Sequence, residues 1–160
     1  MKILVLGGCG IQGRTALYDL ASDEHVKEII CADIRFDELS KIKDFTDMSK
    51  IKEVRVDAKN KDDLINLYKK VDVVIDLLPR DFNKFVNEAA LEAKVSVVNT
   101  NYAYFPEQLD ESAKKAGMIN VFARNAGFIT SPLMAACPRL KPKYSPASNM
   151  TPCIKGIHSG

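Results

Sequence analysis

The sequence predicts an α/β protein with a doubly wound parallel sheet. Between residues 2 and 123, six short apolar runs alternate with five segments of helical periodicity, which is the pattern of repeated β-α-β units. A glycine-rich turn, Gly8–Gly13, joins the first apolar run to the first helical segment, and this junction is typical of doubly wound sheets that hold a nucleotide. We therefore expect six strands in the spatial order 3-2-1-4-5-6.

The first β-α-β unit has the strongest pattern. Lys2–Leu6 is a short apolar run and predicts a buried strand. In the segment Arg14–Ala21, apolar residues recur at helical spacing, which predicts a helix with one face against the sheet. Glu28–Ala32 is a second apolar run that ends at Asp33, and it predicts the neighbouring strand.

The later elements follow in the same alternation. A helix is expected after Asn60, because asparagine caps helices well and Asp62 and Asp63 then lie at the favourable end of the dipole. Pro106 opens the last predicted helix and Gly117 ends it. The other strands are expected at Glu53–Asp57, Asp72–Leu77, Val95–Val98 and Met118–Ala123, and the other helices at Phe36–Phe45 and Phe82–Ala93.

The glycine turn predicts a dinucleotide site. Gly8 would permit a tight turn out of the strand, Gly10 would let a diphosphate approach the backbone, and Gly13 would let the helix pack on the strand. The N–H groups and dipole of the helix N-terminus would then face the phosphates. Asp33 follows Gly13 by about 20 positions, where this motif places the acid that binds the adenosine ribose. The residues predicted for this part of the cofactor are Gly8, Gly10, Ile11, Gln12, Gly13 and Asp33.

Asp33 also bears on the choice of cofactor. The 2′-phosphate of NADP would lie where this carboxylate is expected, and like charges about 4 Å apart repel by about 4 kcal/mol at an effective dielectric constant of about 20. Arg35 could turn toward such a phosphate, although a solvated surface position is the simpler interpretation. The sequence therefore favours NAD over NADP.

Two further pairs of residues are expected to border the cofactor, since ligands cross the carboxyl ends of the strands in such sheets. Leu78 and Pro79 follow the fourth strand, at the nicotinamide end. Their alternative role is to terminate that strand. Asp57 and Ala58 end the third strand, beside the adenine. For Asp57, a loop cap before the next helix is equally consistent with the sequence.

The sequence identifies no catalytic residue and no metal site. None of the five tyrosines begins a Tyr-x-x-x-Lys motif. Neither His25 nor His158 has an acid or a nucleophile placed to work with it. The four cysteines, at positions 9, 31, 137 and 153, show no CxxC spacing, so no metal is predicted.

The composition predicts a soluble globular protein. The chain of 160 residues has 46% apolar and 28% charged residues and a formal net charge of +2, a balance that does not indicate nucleic-acid binding. No apolar run approaches the roughly 20 residues that cross a bilayer, and the chain starts with a strand rather than a signal peptide. With unpaired cysteines, these features predict a reduced, cytoplasmic protein.

The chain is expected to divide near residue 128. Residues 1–128 would form the dinucleotide-binding domain. Residues 129–160 contain five of the seven prolines, and this spacing prevents a long helix and disfavours a central strand. We expect an extended or disordered tail there, in place of a substrate domain.

From Met1 to about Phe128, the chain resembles the saccharopine dehydrogenase-like family. The resemblance rests on the glycine motif, on the strand end Cys31-Ala32-Asp33, on the turn Asp76-Leu77-Leu78-Pro79 and on the segment Val97-Val98-Asn99-Thr100-Asn101-Tyr102. The family includes saccharopine reductases and dehydrogenases, lysine 6-dehydrogenase and carboxynorspermidine synthase. The resemblance implies NAD(P)-dependent redox chemistry at a C–N bond of an amino acid or a related amine.

Two departures from the family pattern limit what is expected. Asn99 stands where the family usually has an acid, and Ile129-Thr130-Ser131-Pro132 stands where the family continues into a substrate and dimerisation domain. We therefore expect a shortened chain that is not catalytic alone, with a homo-oligomer or a separate partner chain left open. A non-catalytic NAD-binding sensor domain is the alternative. A methyltransferase ranks third, because the third glycine of the motif disfavours it.

Overall fold

The structure, a computed structural model, describes residues 1–100, 112, 115, 117 and 120–122. The predicted tail 129–160, Pro106 and Tyr102 lie outside the described residues. The strands are β1 Lys2–Leu6, β2 Glu28–Asp33, β3 Ile51–Arg55, β4 Val73–Asp76, β5 Ser96–Asn99 and β6 Asn120–Phe122. The α-helices are α1 Ile11–Ala21, α2 Lys61–Tyr68 and α3 Asn83–Ala93, and 3₁₀ turns cover Asp37–Ile42, Met48–Lys50 and Arg80–Phe82.

The strands form one parallel sheet in the order β3-β2-β1-β4-β5-β6. This is the predicted order, so the fold class expected from the sequence is confirmed. The chain first builds outward from β1 to β3 and then crosses to the other side of β1 to continue with β4. That reversal creates a crevice at the carboxyl ends of β1 and β4.

The core lies on both faces of the sheet. Side chains alternate along β1, so Ile3 and Val5 pack in the layer that includes α1, whereas Leu4 and Leu6 pack in the layer that includes α2 and α3. All four are at most 1% exposed. A strand covered on both faces needs a continuous apolar sequence, which is why this run predicted a parallel strand.

The clearest differences from the predicted elements lie at β3 and at Phe36–Phe45. β3 begins and ends two residues earlier than expected, and beyond its carboxyl end the carbonyl of Asp57 accepts a bond of 2.9 Å from the N–H of Asn60 and begins a turn. The predicted helix Phe36–Phe45 is a shorter 3₁₀ turn that still buries Leu39 and Ile42. In both cases the element lies close to the predicted segment.

The helices otherwise follow the sequence pattern. The side chain of Asn60 accepts from the N–H of Asp63 at 3.4 Å and caps α2, as predicted. Ser112 and Lys115 are helical, and Gly117 follows with φ of +67°, a left-handed conformation suited to a glycine that ends a helix. Among the described residues, none of the helices has the length and apolarity to cross a membrane.

Candidate dinucleotide-binding site

A cleft of about 750 Å³ opens at the carboxyl edge of the sheet. The segments that follow β1, β2, β3 and β4 line it. It therefore lies at the point where the strand order reverses, which is where doubly wound sheets bind ligands.

The turn after β1 is formed by Gly7. Its φ is +72°, and the N–H of Gly10 donates to its carbonyl at 3.1 Å. The turn role that the sequence assigned to Gly8 therefore belongs to Gly7. Gly8 is required for a different reason, because a Cβ there would lie 2.6 Å from the Sγ of Cys31 on β2. The fingerprint pattern alone could not separate these roles, since both positions are glycine.

Gly13 packs α1 against the glycine turn, as predicted. A Cβ at this position would lie 2.2 Å from the carbonyl oxygen of Gly7 and 2.5 Å from that of Gly8. Backbone atoms cannot yield to such a contact without displacing the helix. The glycine therefore sets how closely α1 approaches β1.

The N-terminus of α1 faces the cleft without a side-chain cap. Gly10 is the N-cap residue, is exposed, and has extended backbone angles, and no side chain caps it. A Cβ at Gly10 would have only the carbonyl of Gly7 nearby, at 3.3 Å, so its backbone is open to a ligand. The first N–H groups of any helix lack intrahelical partners and attract anions. This geometry suits a diphosphate.

Asp33, at the end of β2, lies beside the glycine turn. Its Oδ2 accepts from the N–H of Cys9 at 3.0 Å and its Oδ1 from the N–H of Ile34 at 2.7 Å. The residue is partly exposed and lines the cleft. Because each carboxylate oxygen has a second lone pair, Asp33 can still accept bonds from the hydroxyls of a ribose.

Arg14 braces the glycine turn from α1. Its Nη1 donates to the carbonyl of Cys9 at 2.8 Å and to Oε2 of Glu38 at 2.8 Å. The side chain also lines the cleft. Sequence analysis did not single out Arg14, because an arginine in the first turn of a helix usually has no such partner.

The segments after β2 and β3 form the other end of the cleft. Asp57 and Ala58 both line it. The Oδ1 of Asp57 also accepts from the N–H of Lys59 at 2.9 Å, so the loop-cap role and the position at the cleft are both observed. Ile34 is 55% exposed here, an apolar surface suited to the flat face of a base. The sequence carried no signal for that exposure.

The segment after β4 forms the remaining wall. Leu78 and Pro79, which the sequence places beside the nicotinamide, line the cleft here. A Cβ on Gly7 would meet the carbonyl of Leu77 and Cδ2 of Leu78, each at 3.2 Å. This wall is therefore packed directly against the glycine turn.

The predicted cofactor residues divide into two groups. The cleft is lined by Gly10, Ile11, Asp33, Asp57, Ala58, Leu78 and Pro79. Gly8 and Gly13 are buried beneath the turn, and Gln12 is exposed but does not line the cleft. The first group could contact a ligand, whereas the buried glycines act on the shape of the turn.

The cysteines near the cleft are packed rather than poised for reaction. The Sγ atoms of Cys9 and Cys31 lie 3.8 Å apart. Burial raises the pKa of both thiols, so the nucleophilic thiolate is disfavoured. Within the described part of the chain, no group of His, Cys, Asp and Glu side chains is arranged to hold a metal ion.

A buried polar cluster lies behind the cleft wall. Asp76 is fully buried at the end of β4, and it accepts from the N–H of Leu78 and from Nδ2 of Asn99. Asn99 also donates to Oδ1 of Asn83 on α3. Burial raises the pKa of Asp76 to about 7. Sequence analysis missed this cluster as a unit, because its members come from three separate elements.

The fold and the cleft together define a Rossmann-type domain, the class of domain that binds dinucleotides. A family model described as the saccharopine dehydrogenase NADP binding domain matches residues 3–121, and the chain belongs to this family. The resemblance drawn from the sequence motifs is thereby confirmed.

Several solved structures have the same fold. Saccharopine dehydrogenase (L-Glu forming) from Saccharomyces cerevisiae is 24% identical with a TM-score of 0.61, and the match covers 74% of this chain and 26% of that one. Triphenylmethane reductase from Citrobacter sp., solved with NADP(H), is 18% identical with a TM-score of 0.58, over 77% of this chain and 49% of that one. The protein AtPrR2 in apo form is 18% identical with a TM-score of 0.57, and the match covers 76% of this chain and 46% of that one.

These structural similarities show the fold alone, since every identity is below 25%. The chain spans about a quarter of the saccharopine dehydrogenase and about half of the other two proteins.

Proposed function

We propose that this chain is the cofactor-binding part of an oxidoreductase that acts on a C–N bond of an amino acid or a related amine. The observation that carries the proposal is the cleft in which an uncapped helix N-terminus and the Asp33 carboxylate lie side by side. Membership of the saccharopine dehydrogenase family supports the reaction class.

The proposed binding mode follows the cleft from end to end. The diphosphate lies against the backbone of Gly10 and Ile11, because the first N–H groups of α1 lack intrahelical partners. The adenosine ribose donates to Asp33, and the adenine packs between Ile34 and Ala58. The nicotinamide lies beside Leu78 and Pro79. A nicotinamide bound there supplies hydride transfer, and the protein's part is to orient the ring and to exclude water.

We propose that NAD is bound more tightly than NADP. The carboxylate of Asp33 would repel a 2′-phosphate and accept bonds from a free 2′-hydroxyl. Opposing this preference, Arg14, Arg35 and Lys59 also line the cleft, and the descriptions of the family model and of the Citrobacter reductase both refer to NADP. Parallel titrations with NADH and NADPH, followed by nicotinamide fluorescence, decide between them.

Binding itself is tested by thermal unfolding. A dinucleotide at about 100 times its Kd stabilises the folded state by about 2.7 kcal/mol, so the Tm should rise with NAD or NADH and to a smaller extent with nicotinamide mononucleotide, which lacks the adenosine. No change in Tm with either dinucleotide at millimolar concentration would contradict the proposed function.

We further propose that turnover needs substrate-binding groups beyond those of the described cleft. Nothing in the described cleft resembles a general base paired with a nucleophile. Hydride transfer from candidate amino acids should be assayed with the chain alone and with separately encoded partner chains. Binding without turnover in every combination would favour the sensor domain instead.

A further inference from the structure

Asp76 is a buried acid that the proposed function does not use. It is 0% exposed and does not line the cleft. Its carboxylate lies at the end of β4, one residue before the wall formed by Leu77–Pro79. An acid in such a position costs folding free energy when it is ionised, so the structure needs a reason to keep it.

The carboxylate is connected to the diphosphate-binding turn through one hydrogen bond and one packing contact. Oδ1 of Asp76 accepts from the N–H of Leu78 at 3.1 Å. Leu77 and Leu78 in turn pack against Gly7. A Cβ added to Gly7 would lie 3.2 Å from the carbonyl oxygen of Leu77 and 3.2 Å from Cδ2 of Leu78. The Gly7 carbonyl accepts from the N–H of Gly10. These contacts form a continuous path from Asp76 to the backbone that would hold the diphosphate.

The other carboxylate oxygen ties the wall to the neighbouring elements. Oδ2 of Asp76 accepts from Nδ2 of Asn99 at 2.9 Å, and the two residues are partners in the β4–β5 register. The same Nδ2 donates to Oδ1 of Asn83 at 3.2 Å, so α3 joins the cluster. The orientation of the Asp76 carboxylate is thus set from two sides.

In the part of the chain that the structure describes, no cation balances the charge on Asp76. Among the described residues, no lysine, arginine or histidine forms an ion pair with it, and the titratable group that faces it is the phenol of Tyr68 on α2. Burial and the nearby charge of Asp76 raise the pKa of Tyr68, so the phenol stays neutral. Burial also brings the pKa of Asp76 to about 7, so its carboxyl gains and loses a proton in the neutral range.

We propose that Asp76 is a positioning residue for the dinucleotide, and that a proton on its carboxyl loosens the Leu77–Pro79 wall and lowers cofactor affinity. The inference rests on the proposed function. The ionised carboxylate is the stronger acceptor for the Leu78 N–H, by about 1 kcal/mol over a neutral group. A purely Coulombic effect would have the opposite sign, because loss of a negative charge favours an anionic ligand. The direction of the pH dependence therefore separates the two.

The test measures the Kd of NADH between pH 6 and pH 8.5 for the wild-type chain, Asp76→Asn and Asp72→Asn. Asp72 is the matched control, an exposed acid just before the same strand whose carboxylate accepts from the N–H of Lys2 at the opposite edge of the sheet. We expect the wild-type Kd to be about fivefold higher at pH 6 than at pH 8.5, which corresponds to about 1 kcal/mol. Asp76→Asn should be flat with pH at a weakened affinity, and Asp72→Asn should follow the wild type.

The possible outcomes separate the inference from the proposed function. Absence of NADH binding at every pH would overturn the proposed function. Binding with a Kd that is independent of pH, or that falls on acidification, would overturn the role of Asp76 alone. A wild-type pH profile in the Asp76→Asn variant would overturn that role as well.

A measurement on the wild-type chain covers the case in which Asp76→Asn does not fold. The amide resonance of Leu78 should shift on titration through about pH 7 together with the Asp76 carboxyl carbon. Addition of NADH should move this midpoint to lower pH, because the ligand binds the ionised form more tightly. A midpoint that NADH leaves unchanged would refute the coupling.

Discussion

The two ends of the cleft differ in the groups that form them. The end that we propose for the diphosphate and adenosine consists of backbone groups and of partly exposed side chains, with Gly10 open to solvent and Asp33 reached from the cleft. The end that we propose for the nicotinamide is backed by a buried cluster around Asp76 that does not reach the cleft. A binding surface made of backbone depends on close packing beneath it, whereas a wall held by buried polar groups depends on their protonation.

This contrast predicts that substitutions at the two ends of the cleft change binding and stability through different mechanisms. At the glycine turn, an added methyl group should act by steric exclusion, independently of pH. At the Asp76 cluster, loss of a charge should act through pH and with little change in shape. The following four changes are ordered by the size of their expected effect.

Gly13→Ala should have the largest effect on stability. Its Cβ would lie 2.2 Å from the carbonyl oxygen of Gly7, and overpacking against backbone costs about 3 kcal/mol or more. Urea unfolding measures the loss. Thr15→Ala, an exposed position on the same helix, should change the free energy of unfolding by no more than about 0.5 kcal/mol. A Gly13→Ala variant as stable as Thr15→Ala would show that α1 does not pack as described.

Asp76→Asn should increase stability at alkaline pH. Burial raises the pKa of Asp76 from 3.8 to about 7, so the folded chain keeps a proton that the unfolded chain has lost between these values. Stability therefore falls as pH rises through this window, by up to about 4 kcal/mol above pH 7. Asparagine removes that penalty but has one acceptor oxygen, so it loses one of the two bonds from the N–H of Leu78 and Nδ2 of Asn99, at a cost of about 1–2 kcal/mol.

We expect a net gain of about 2 kcal/mol for Asp76→Asn at pH 8.5 and no gain below about pH 4. Urea unfolding at both pH values checks this expectation, with Asp72→Asn as the reference. Equal effects of Asp76→Asn at the two pH values would contradict an ionised buried acid. A stability gain joined to weaker NADH binding would show that the acid is retained for function at a cost in stability.

Gly10→Ala should weaken NADH binding while leaving the fold intact. The added methyl group would have one neighbour, the carbonyl of Gly7 at 3.3 Å, but it would project from the backbone that the diphosphate approaches. We expect Kd to rise at least about tenfold, or about 1.4 kcal/mol, with Tm changed little. Fluorescence titration measures the Kd and thermal unfolding of the same preparation measures the Tm. An unaltered affinity would show that the diphosphate does not lie against the N-terminus of α1.

Asp33→Asn should have the smallest effect and should appear as a change of preference. Asparagine can still accept from the N–H of Cys9, so the turn keeps its contact. Asp33 is partly exposed, so water screens its repulsion of a 2′-phosphate from about 4 kcal/mol for a poorly solvated pair toward about 1 kcal/mol. Without the negative charge, the ratio of NADPH to NADH affinity should therefore rise by about fivefold. Separate titrations with the two cofactors measure the ratio. An unchanged ratio would mean that Arg14, Arg35 and Lys59 control the preference instead.

Local pattern explains which of these features could be predicted. β1, the glycine turn and α1 were predictable because each residue's role depends on neighbours within a few positions. The extent of β3 was wrong by two residues at each end, and Asp57, predicted to end the strand, instead begins a turn whose hydrogen bond comes from Asn60. The assignment of the turn to Gly8 instead of Gly7 failed for a related reason, since two adjacent glycines have the same local signal.

The Asp76 cluster could not have been predicted from its own segment. Aspartate at the end of an apolar run has the same appearance whether it is solvated or buried. The polar partners of Asp76 come from β5 and α3, and the hydrogen bond that Asn99 donates to it spans 23 positions of the chain. Likewise, the exposure of Ile34 at the cleft follows from how the loops after β2 and β3 meet.

The amino-acid sequence by itself determined the alternation of strands and helices, the glycine turn and the acid at the end of β2. Periodicity and short-range sterics act within a few residues of the chain, so these features can be predicted from neighbouring residues. Only the tertiary structure decided which glycine turns the chain, which side chains line the cleft and which acid is buried behind its wall. Burial and pKa depend on what the rest of the chain places within a few ångströms, and no local pattern carries that information.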